Sequence, residues 1–127
     1  MRALIYDDDE DFAQECAEAL ARRGYETETR AGRTDFAALV AAFVPDLILL
    51  DVHMPDFNGI EALQALARDP RKTDIAIVMM SGAQDNLLDA GTALCEARGI
   101  RLLGTLPKPI DLALLDHWLA RPATEQA

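Results

Sequence analysis

The length and charge of the chain exclude several classes of protein before any motif is considered. The chain has 127 residues, which is enough for one domain with a hydrophobic core but leaves no room for a second domain of usual size. Half of the residues are hydrophobic, which excludes a disordered or fibrous protein. Its 22 acidic residues outnumber the 12 lysines and arginines, and the net charge of −10 argues against direct binding of nucleic acid or of an anionic membrane surface.

Short apolar runs alternate with amphipathic segments from one end of the chain to the other. Glycine and proline mark several boundaries: Gly24 follows the first helical pattern, and Pro45 stops the second. In chain order, the patterns predict strand 3–6, helix 12–23, strand 25–29, helix 34–43, strand 47–50, helix 59–68, strand 75–80, helix 87–98, strand 100–106 and a last helix marked by Leu112, Leu115 and Leu119.

This alternation predicts an α/β fold. Strands separated by helices run parallel, and continuously apolar strands fit a sheet that is covered on both faces. With right-handed crossovers, the five strand–helix units form a doubly wound, five-stranded parallel sheet of the flavodoxin-like type, with strand order 2-1-3-4-5. We expect this domain to span residues 1–121, and we expect 122–127 to be a polar tail or the start of a linker.

Acidic residues follow two of the predicted strands at the point where the strand order reverses. Asp7, Asp8 and Asp9 come directly after the first strand, and Asp51 ends the third. Ligands of open α/β sheets bind at this edge, and several carboxylates lie close together only if a cation or protons reduce their repulsion. Oxygen ligands favour a hard cation, so Asp7, Asp8 and Asp51 predict a Mg²⁺ site. For Asp9 and Asp11, the alternative is that they cap the first helix or interact with its dipole.

Two further strand ends carry polar groups to the same edge. Ser81 follows the fourth predicted strand, and Lys108 lies between two prolines after the fifth. A cis Lys108–Pro109 bond would hold the ammonium group over the edge. A hydroxyl, an ammonium and a divalent cation around Asp51 describe a site for a phosphoryl group on that carboxylate. The plainer alternatives are a surface lysine and a serine that begins a turn.

The start of the chain and its cysteines indicate a cytoplasmic protein. The first residues contain one arginine and an apolar run too short for a signal peptide, and no apolar stretch approaches the roughly 20 residues that span a bilayer. Cys16 and Cys95 fall in predicted helices and fit no metal-ligand spacing. We therefore expect two thiols in a reducing compartment rather than a disulfide.

Four motifs stand at the strand ends in a fixed order: LIYDDD at 4–9, LLDVHMPDFNG at 49–59, MSG at 80–82 and PKP at 107–109. Together they resemble the receiver domain of two-component response regulators, and the resemblance extends to about residue 120. It implies a signalling domain rather than an enzyme, limited to self-catalysed phosphotransfer and autodephosphorylation. In such a domain Asp51 takes a phosphoryl group from a phosphohistidine on a sensor histidine kinase or a histidine phosphotransfer protein.

The resemblance also implies a role for each of the other site residues. Asp8 binds Mg²⁺ directly and Asp7 binds it through water, with the main-chain carbonyl of His53 as a further ligand. Ser81 and Lys108 contact the phosphoryl oxygens. Phosphorylation then changes the face formed by strand 4, helix 4, strand 5 and helix 5. That face controls an output domain or a partner, and its helix 4, strand 5 and helix 5 are also the expected surface of a homodimer.

One position departs from the receiver pattern. Receivers usually carry Tyr or Phe three residues before the lysine, and that ring moves inward when the Ser or Thr engages the phosphoryl group. Here the position is Thr105, which puts the usual coupling of Ser81 to a ring in question. The surrounding LLGTLPKPIDL, at 102–112, is similar to receivers that precede EAL cyclic-di-GMP phosphodiesterase domains. An EAL domain, fused or separate, is therefore an expected effector. Trp118 is predicted to be a packing or docking residue.

Three alternatives share parts of this pattern. A small Mg²⁺-dependent phosphatase of the haloacid-dehalogenase type needs Thr or Val where Asp11 stands, so its motif fails. Flavodoxin-like flavin binding fails because the first loop is a run of acids where a phosphate cradle needs glycines and hydroxyls. A pseudo-receiver, acting as an interaction module without phosphorylation, is the remaining alternative. Thr105 favours it slightly. The complete set of site residues argues against it: Asp8, Asp51, Ser81 and Lys108.

Overall fold

Strands and helices alternate along the chain as the sequence predicts. The computed structural model describes residues 1–30, 35–51, 53–54, 57–81, 86–107 and 111–120. In chain order the elements are β1 (Arg2–Tyr6), α1 (Glu10–Ala21), β2 (Glu26–Arg30), α2 (Phe36–Phe43), β3 (Leu47–Asp51), β4 (His53–Met54), β5 (Phe57–Asn58), α3 (Gly59–Ala67), β6 (Ala76–Ser81), α4 (Asn86–Arg98), β7 (Arg101–Pro107) and α5 (Leu112–Leu119).

Among the described residues, five strands form the main sheet in the order β2-β1-β3-β6-β7, and each neighbouring pair is parallel. This confirms the predicted flavodoxin-like order 2-1-3-4-5, and the order reverses between β1 and β3. Strands β4 and β5 form a separate antiparallel pair, with His53 opposite Asn58. The sequence did not predict this pair, because a strand of two residues has no periodicity that a pattern could show.

Strand β3 lies at the centre of the sheet, and all five of its residues are buried. Leu49 faces one core, shared with α1 and α5, whereas Leu50 faces the other core, shared with α2, α3 and α4. Burial on both faces explains why the strand is continuously apolar instead of alternating. The two cores therefore hold β3, and the aspartate at its end, from both sides.

The beginning of α1 settles one of the alternatives left open by the sequence. Asp9 is the N-cap residue, and its side chain accepts a hydrogen bond from the Phe12 N–H at 3.0 Å. The helix therefore begins at Glu10, two residues earlier than predicted. At the end of α2, Val44 has a left-handed φ of 54°. The following Pro45 disfavours the helical conformation in the residue before it, which explains why the helix ends here.

As predicted, both cysteines lie in helices as free thiols, and the structure shows that both are buried. Burial, and to a smaller degree the neighbouring Glu96, raises the pKa of the Cys95 thiol from 9.0 to about 11. We therefore expect iodoacetamide at pH 8 to label Cys95 about 100-fold more slowly in the folded protein than in urea, because only the thiolate reacts. Mass spectrometry of a Cys16→Ala variant measures this rate for Cys95 alone, and equal rates in the two states would contradict the expectation.

Within the described ranges, no helix is both long enough and apolar enough to cross a membrane.

Candidate functional site

The carboxyl ends of β1 and β3 lie side by side at the reversal point of the sheet. The register places Tyr6 opposite Leu50, so that Asp7 continues from β1 beside Asp51. One carboxylate oxygen from each of Asp7, Asp8 and Asp51 lies within 4.8 Å of the other two. The fold thus brings together the three acids that the sequence placed at this edge.

The three acids differ in their exposure and in their support. Asp7 and Asp51 are each only 2% exposed, whereas Asp8 is exposed to solvent. Oδ1 of Asp7 accepts a hydrogen bond from the Asp9 N–H at 2.9 Å, and the Asp7 N–H donates to the Arg30 carbonyl at 3.0 Å. These bonds fix the backbone from both sides. The backbone on either side of Asp8 is therefore held in place, and Asp8 is the one acid of the three whose side chain is exposed to solvent.

The close approach of buried acids favours a cation at this position. Two unit charges 4.8 Å apart repel by about 3.5 kcal/mol at an effective dielectric constant of about 20. A hydrogen bond contributes about 1 kcal/mol net, which is too little to offset that repulsion, whereas a divalent cation between the oxygens converts it into attraction. Since all the donor atoms are carboxylate oxygens, the cluster fits a hard cation such as Mg²⁺.

Ser81 and Lys108 were predicted to complete the site. Ser81 is the last residue of β6, one residue beyond Met80, which pairs with Asp51. Its backbone pairs with Pro107 at the end of β7, so the ends of β6 and β7 reach the same edge as the acid cluster. The side chain of Ser81, Lys108 and the predicted cis bond to Pro109 all lie outside the described part of the chain.

The predicted role of His53 concerns its main chain. This residue begins β4, two residues after Asp51, and pairs with Asn58. The backbone therefore turns back on itself directly after the central strand. The assignment of the His53 carbonyl as a ligand stays a prediction, and the imidazole lies outside the described part of the chain.

A polar groove of about 330 Å³ opens beside the acid cluster, between α1 and β2. The sequence did not reveal it, because it forms between two segments that meet only in the folded sheet. Of the three clustered acids, only Asp7 lines this groove, which lies on the β2 side of β1. Its lining comprises Asp7, Glu10, Ala13, Gln14, Thr29 and Arg30.

Thr105 and Trp118 meet on the last strand. Thr105 is half-buried in β7 and lies opposite Met79 of β6. Trp118 of α5 donates a hydrogen bond from Nε1 to the Thr105 carbonyl at 2.9 Å, and its ring lies so close to Gly104 that a Cβ there would overlap it. The Trp118 ring packs on the face of β7 that is shared with α1 and α5, whereas Thr105 lies opposite Met79, which faces the other core.

A doubly wound sheet of this order with a carboxylate cluster at its reversal point is the architecture of phosphoacceptor signalling domains. The sequence matches the family model of the response regulator receiver domain over residues 3–120, and the chain belongs to that family. It is therefore a signalling domain of two-component systems, as the resemblance predicted.

Two curated relatives and one solved structure support this assignment. The chain is 37% identical over 109 residues to the DNA-binding transcriptional regulator NtrC of Azospirillum brasilense, covering 86% of this chain and 21% of that protein. It is 38% identical over 85 residues to the phosphate regulon transcriptional regulatory protein PhoB of Pseudomonas aeruginosa, covering 65% and 37% respectively. The chain thus spans little more than a third of these relatives at most. The crystal structure of a sensor protein from Polaromonas sp. JS666 is 28% identical, with a TM-score of 0.73 and coverage of 99% and 98%.

Proposed function

We propose that Asp51 is the phosphoacceptor of this receiver domain and that Asp7 and Asp8 hold the Mg²⁺ that phosphotransfer requires. The observation that carries the proposal is the clustering of the three carboxylates within 4.8 Å at the end of the central strand. The strand that ends in Asp51 is buried on both faces, so the nucleophile has a fixed position relative to the other two acids.

The chemistry follows from this placement. An oxygen of Asp51 attacks the phosphorus of a phosphohistidine, the P–O bond forms, and the P–N bond breaks with its electron pair leaving on the imidazole. When bound, Mg²⁺ supplies positive charge to the oxygens of the transferred group. Ser81 and Lys108 are proposed to contact the same oxygens, which is supported by the position of the β6 and β7 ends beside Asp51. Hydrolysis of the aspartyl phosphate then resets the domain.

The proposed partners follow the same family pattern. A sensor histidine kinase or a histidine phosphotransfer protein donates the phosphoryl group, in the cytoplasm, to a domain that spans 1–121 and is followed by a polar tail or the start of a linker at 122–127. The face formed by β6, α4, β7 and α5 carries the output to an effector. Its α4, β7 and α5 are also the proposed surface for a second copy of the chain. The similarity at 102–112 supports an EAL domain, fused or separate, as the effector.

The test is phosphorylation by acetyl phosphate with Mg²⁺, read as a mass increase of one phosphoryl group. We expect the wild type to show this mass increase and Asp51→Asn to show none, because an amide oxygen is a poor nucleophile. Asp9→Asn is the matched control: Asp9 belongs to the same acidic run but caps α1, so this variant should be labelled like the wild type. Labelling that persists in Asp51→Asn would refute the assignment of the phosphoacceptor.

The pseudo-receiver is the second candidate, because Thr105 supplies no aromatic ring. It predicts that the wild type gains no phosphoryl group under the same conditions. The two candidates are therefore separated by the same mass measurement.

A further inference from the structure

We propose that the indole of Trp118 couples the phosphorylation site to helix α5 through its hydrogen bond to the Thr105 carbonyl. The inference rests on the proposed phosphorylation of Asp51. It assigns the readout of the site to a particular hydrogen bond and a particular helix.

The close packing of the ring on β7 is the first observation. A Cβ on Gly104 would overlap three atoms of the Trp118 ring, so the ring lies directly against the backbone of the strand. Only glycine permits such an approach at this position. Gly104 and Trp118 are thus one structural unit, although 13 residues lie between them.

The hydrogen bond is the second observation. Nε1 of Trp118 donates to the Thr105 carbonyl at 2.9 Å, and the ring packs against the buried core that includes Leu106 and Leu115. A displacement of the β7 backbone at this carbonyl must therefore either carry the indole with it or break the bond. Both outcomes change the position of α5 relative to the strand.

The path from the site to this bond is short. Thr105 is two residues before Pro107, whose backbone pairs with Ser81, and three residues before Lys108. The two residues from Thr105 to Pro107 span at most about 7 Å of extended chain. A movement of the β6 and β7 ends towards a phosphoryl group on Asp51 is consequently transmitted along one strand segment to the Thr105 carbonyl.

Helix α5 is held at a second point by a different kind of contact. Asp116 forms an ion pair with Arg23, which follows α1, and Arg23 also donates to the Ala19 carbonyl at 2.6 Å. One contact thus ties α5 to α1, and the other ties it to β7. A change at the β7 contact alone tilts the helix about its contact with α1, because the two restraints act on different neighbours.

The sequence contains one tryptophan, so the indole N–H gives a single resonance in an NMR spectrum. Addition of acetyl phosphate and Mg²⁺ is expected to move this resonance by more than its linewidth in the wild type and to leave it in place in Asp51→Asn. Mass spectrometry of the same samples reports phosphorylation. A phosphorylated protein whose indole resonance does not move would overturn the inference and leave the proposed function intact. If the wild type did not gain the phosphoryl group, both the proposed function and this inference would be refuted.

The variant Trp118→Phe separates coupling from packing, because it keeps an aromatic ring and removes the donor. We expect it to gain the phosphoryl group like the wild type but to lose the phosphorylation-dependent shifts of the Leu119 and Ala120 amides. Leu112→Ala is the matched control in the same helix, since Leu112 is 43% exposed, and it should keep those shifts. Full retention of the α5 shifts in Trp118→Phe would refute the role of the hydrogen bond.

Discussion

Asp7→Asn is expected to abolish the stabilisation of this protein by Mg²⁺ and to slow phosphoryl uptake at Asp51 by about 100-fold. A metal ion contributes several kcal/mol to the stabilisation of a transition state, and each 1.36 kcal/mol changes a rate about tenfold. Asparagine keeps an Oδ1 that can accept from the Asp9 N–H, so the local backbone should persist. The variant therefore removes charge from the cluster while preserving its support.

Thermal unfolding with and without Mg²⁺ measures the first part of this expectation. At a ligand concentration about 100 times the dissociation constant, binding to the folded state alone stabilises by about 2.7 kcal/mol, and that increment should appear in the wild type. The stabilisation by Mg²⁺ should disappear in Asp7→Asn. Without metal, this variant should be at least as stable as the wild type, because the substitution removes the repulsion between carboxylates.

Asp35→Asn is the matched control for this experiment. Asp35 caps α2 through a hydrogen bond from the Ala38 N–H and lies outside the acid cluster. Asparagine is an equally good cap, so both the stability and the response to Mg²⁺ should remain. A response to Mg²⁺ in Asp7→Asn that equals that of the wild type would show that the cation binds elsewhere.

The sheet and the acid cluster could be predicted because each depends on a local feature of the sequence. Leu47, Ile48, Leu49 and Leu50 are apolar in succession because both faces of β3 are buried, and such a run shows burial without further information. The chain order of strands and helices then fixes which strand ends meet. Asp51 and Asp7 were predicted together for that reason, although 43 residues lie between them.

The features that could not be predicted depend on contacts between distant segments. Gly104 has no side chain because the ring of Trp118 occupies that space, and no pattern in either segment indicates the other. The groove beside Asp7 likewise needs α1 and β2 together. For Asp9, the sequence favoured a helix cap but left the metal-binding role open, and the hydrogen bond from the Phe12 N–H shows that it caps α1.

Leu49→Ala and Leu50→Ala should each lower the free energy of unfolding by about 3–4 kcal/mol, the usual cost of truncating a fully buried leucine. Leu49 is 0% and Leu50 is 1% exposed, and they face opposite cores of the same strand. A domain of ordinary stability has only about 5–15 kcal/mol in total, so either change removes a large share of it. Urea unfolding should show a lower midpoint with an unchanged slope.

Leu112→Ala provides the comparison for these two variants. Its side chain is 43% exposed at the beginning of α5, and its truncation should change the free energy of unfolding by no more than about 0.5–1 kcal/mol. If Leu49→Ala and Leu50→Ala were no more destabilising than Leu112→Ala, β3 would not be the doubly buried strand described above. Loss of core packing should also affect the site, because Asp51 ends this strand and its position is fixed only while both cores hold the strand. Each of the two core variants should therefore also slow phosphoryl uptake, whereas Leu112→Ala should leave it unchanged.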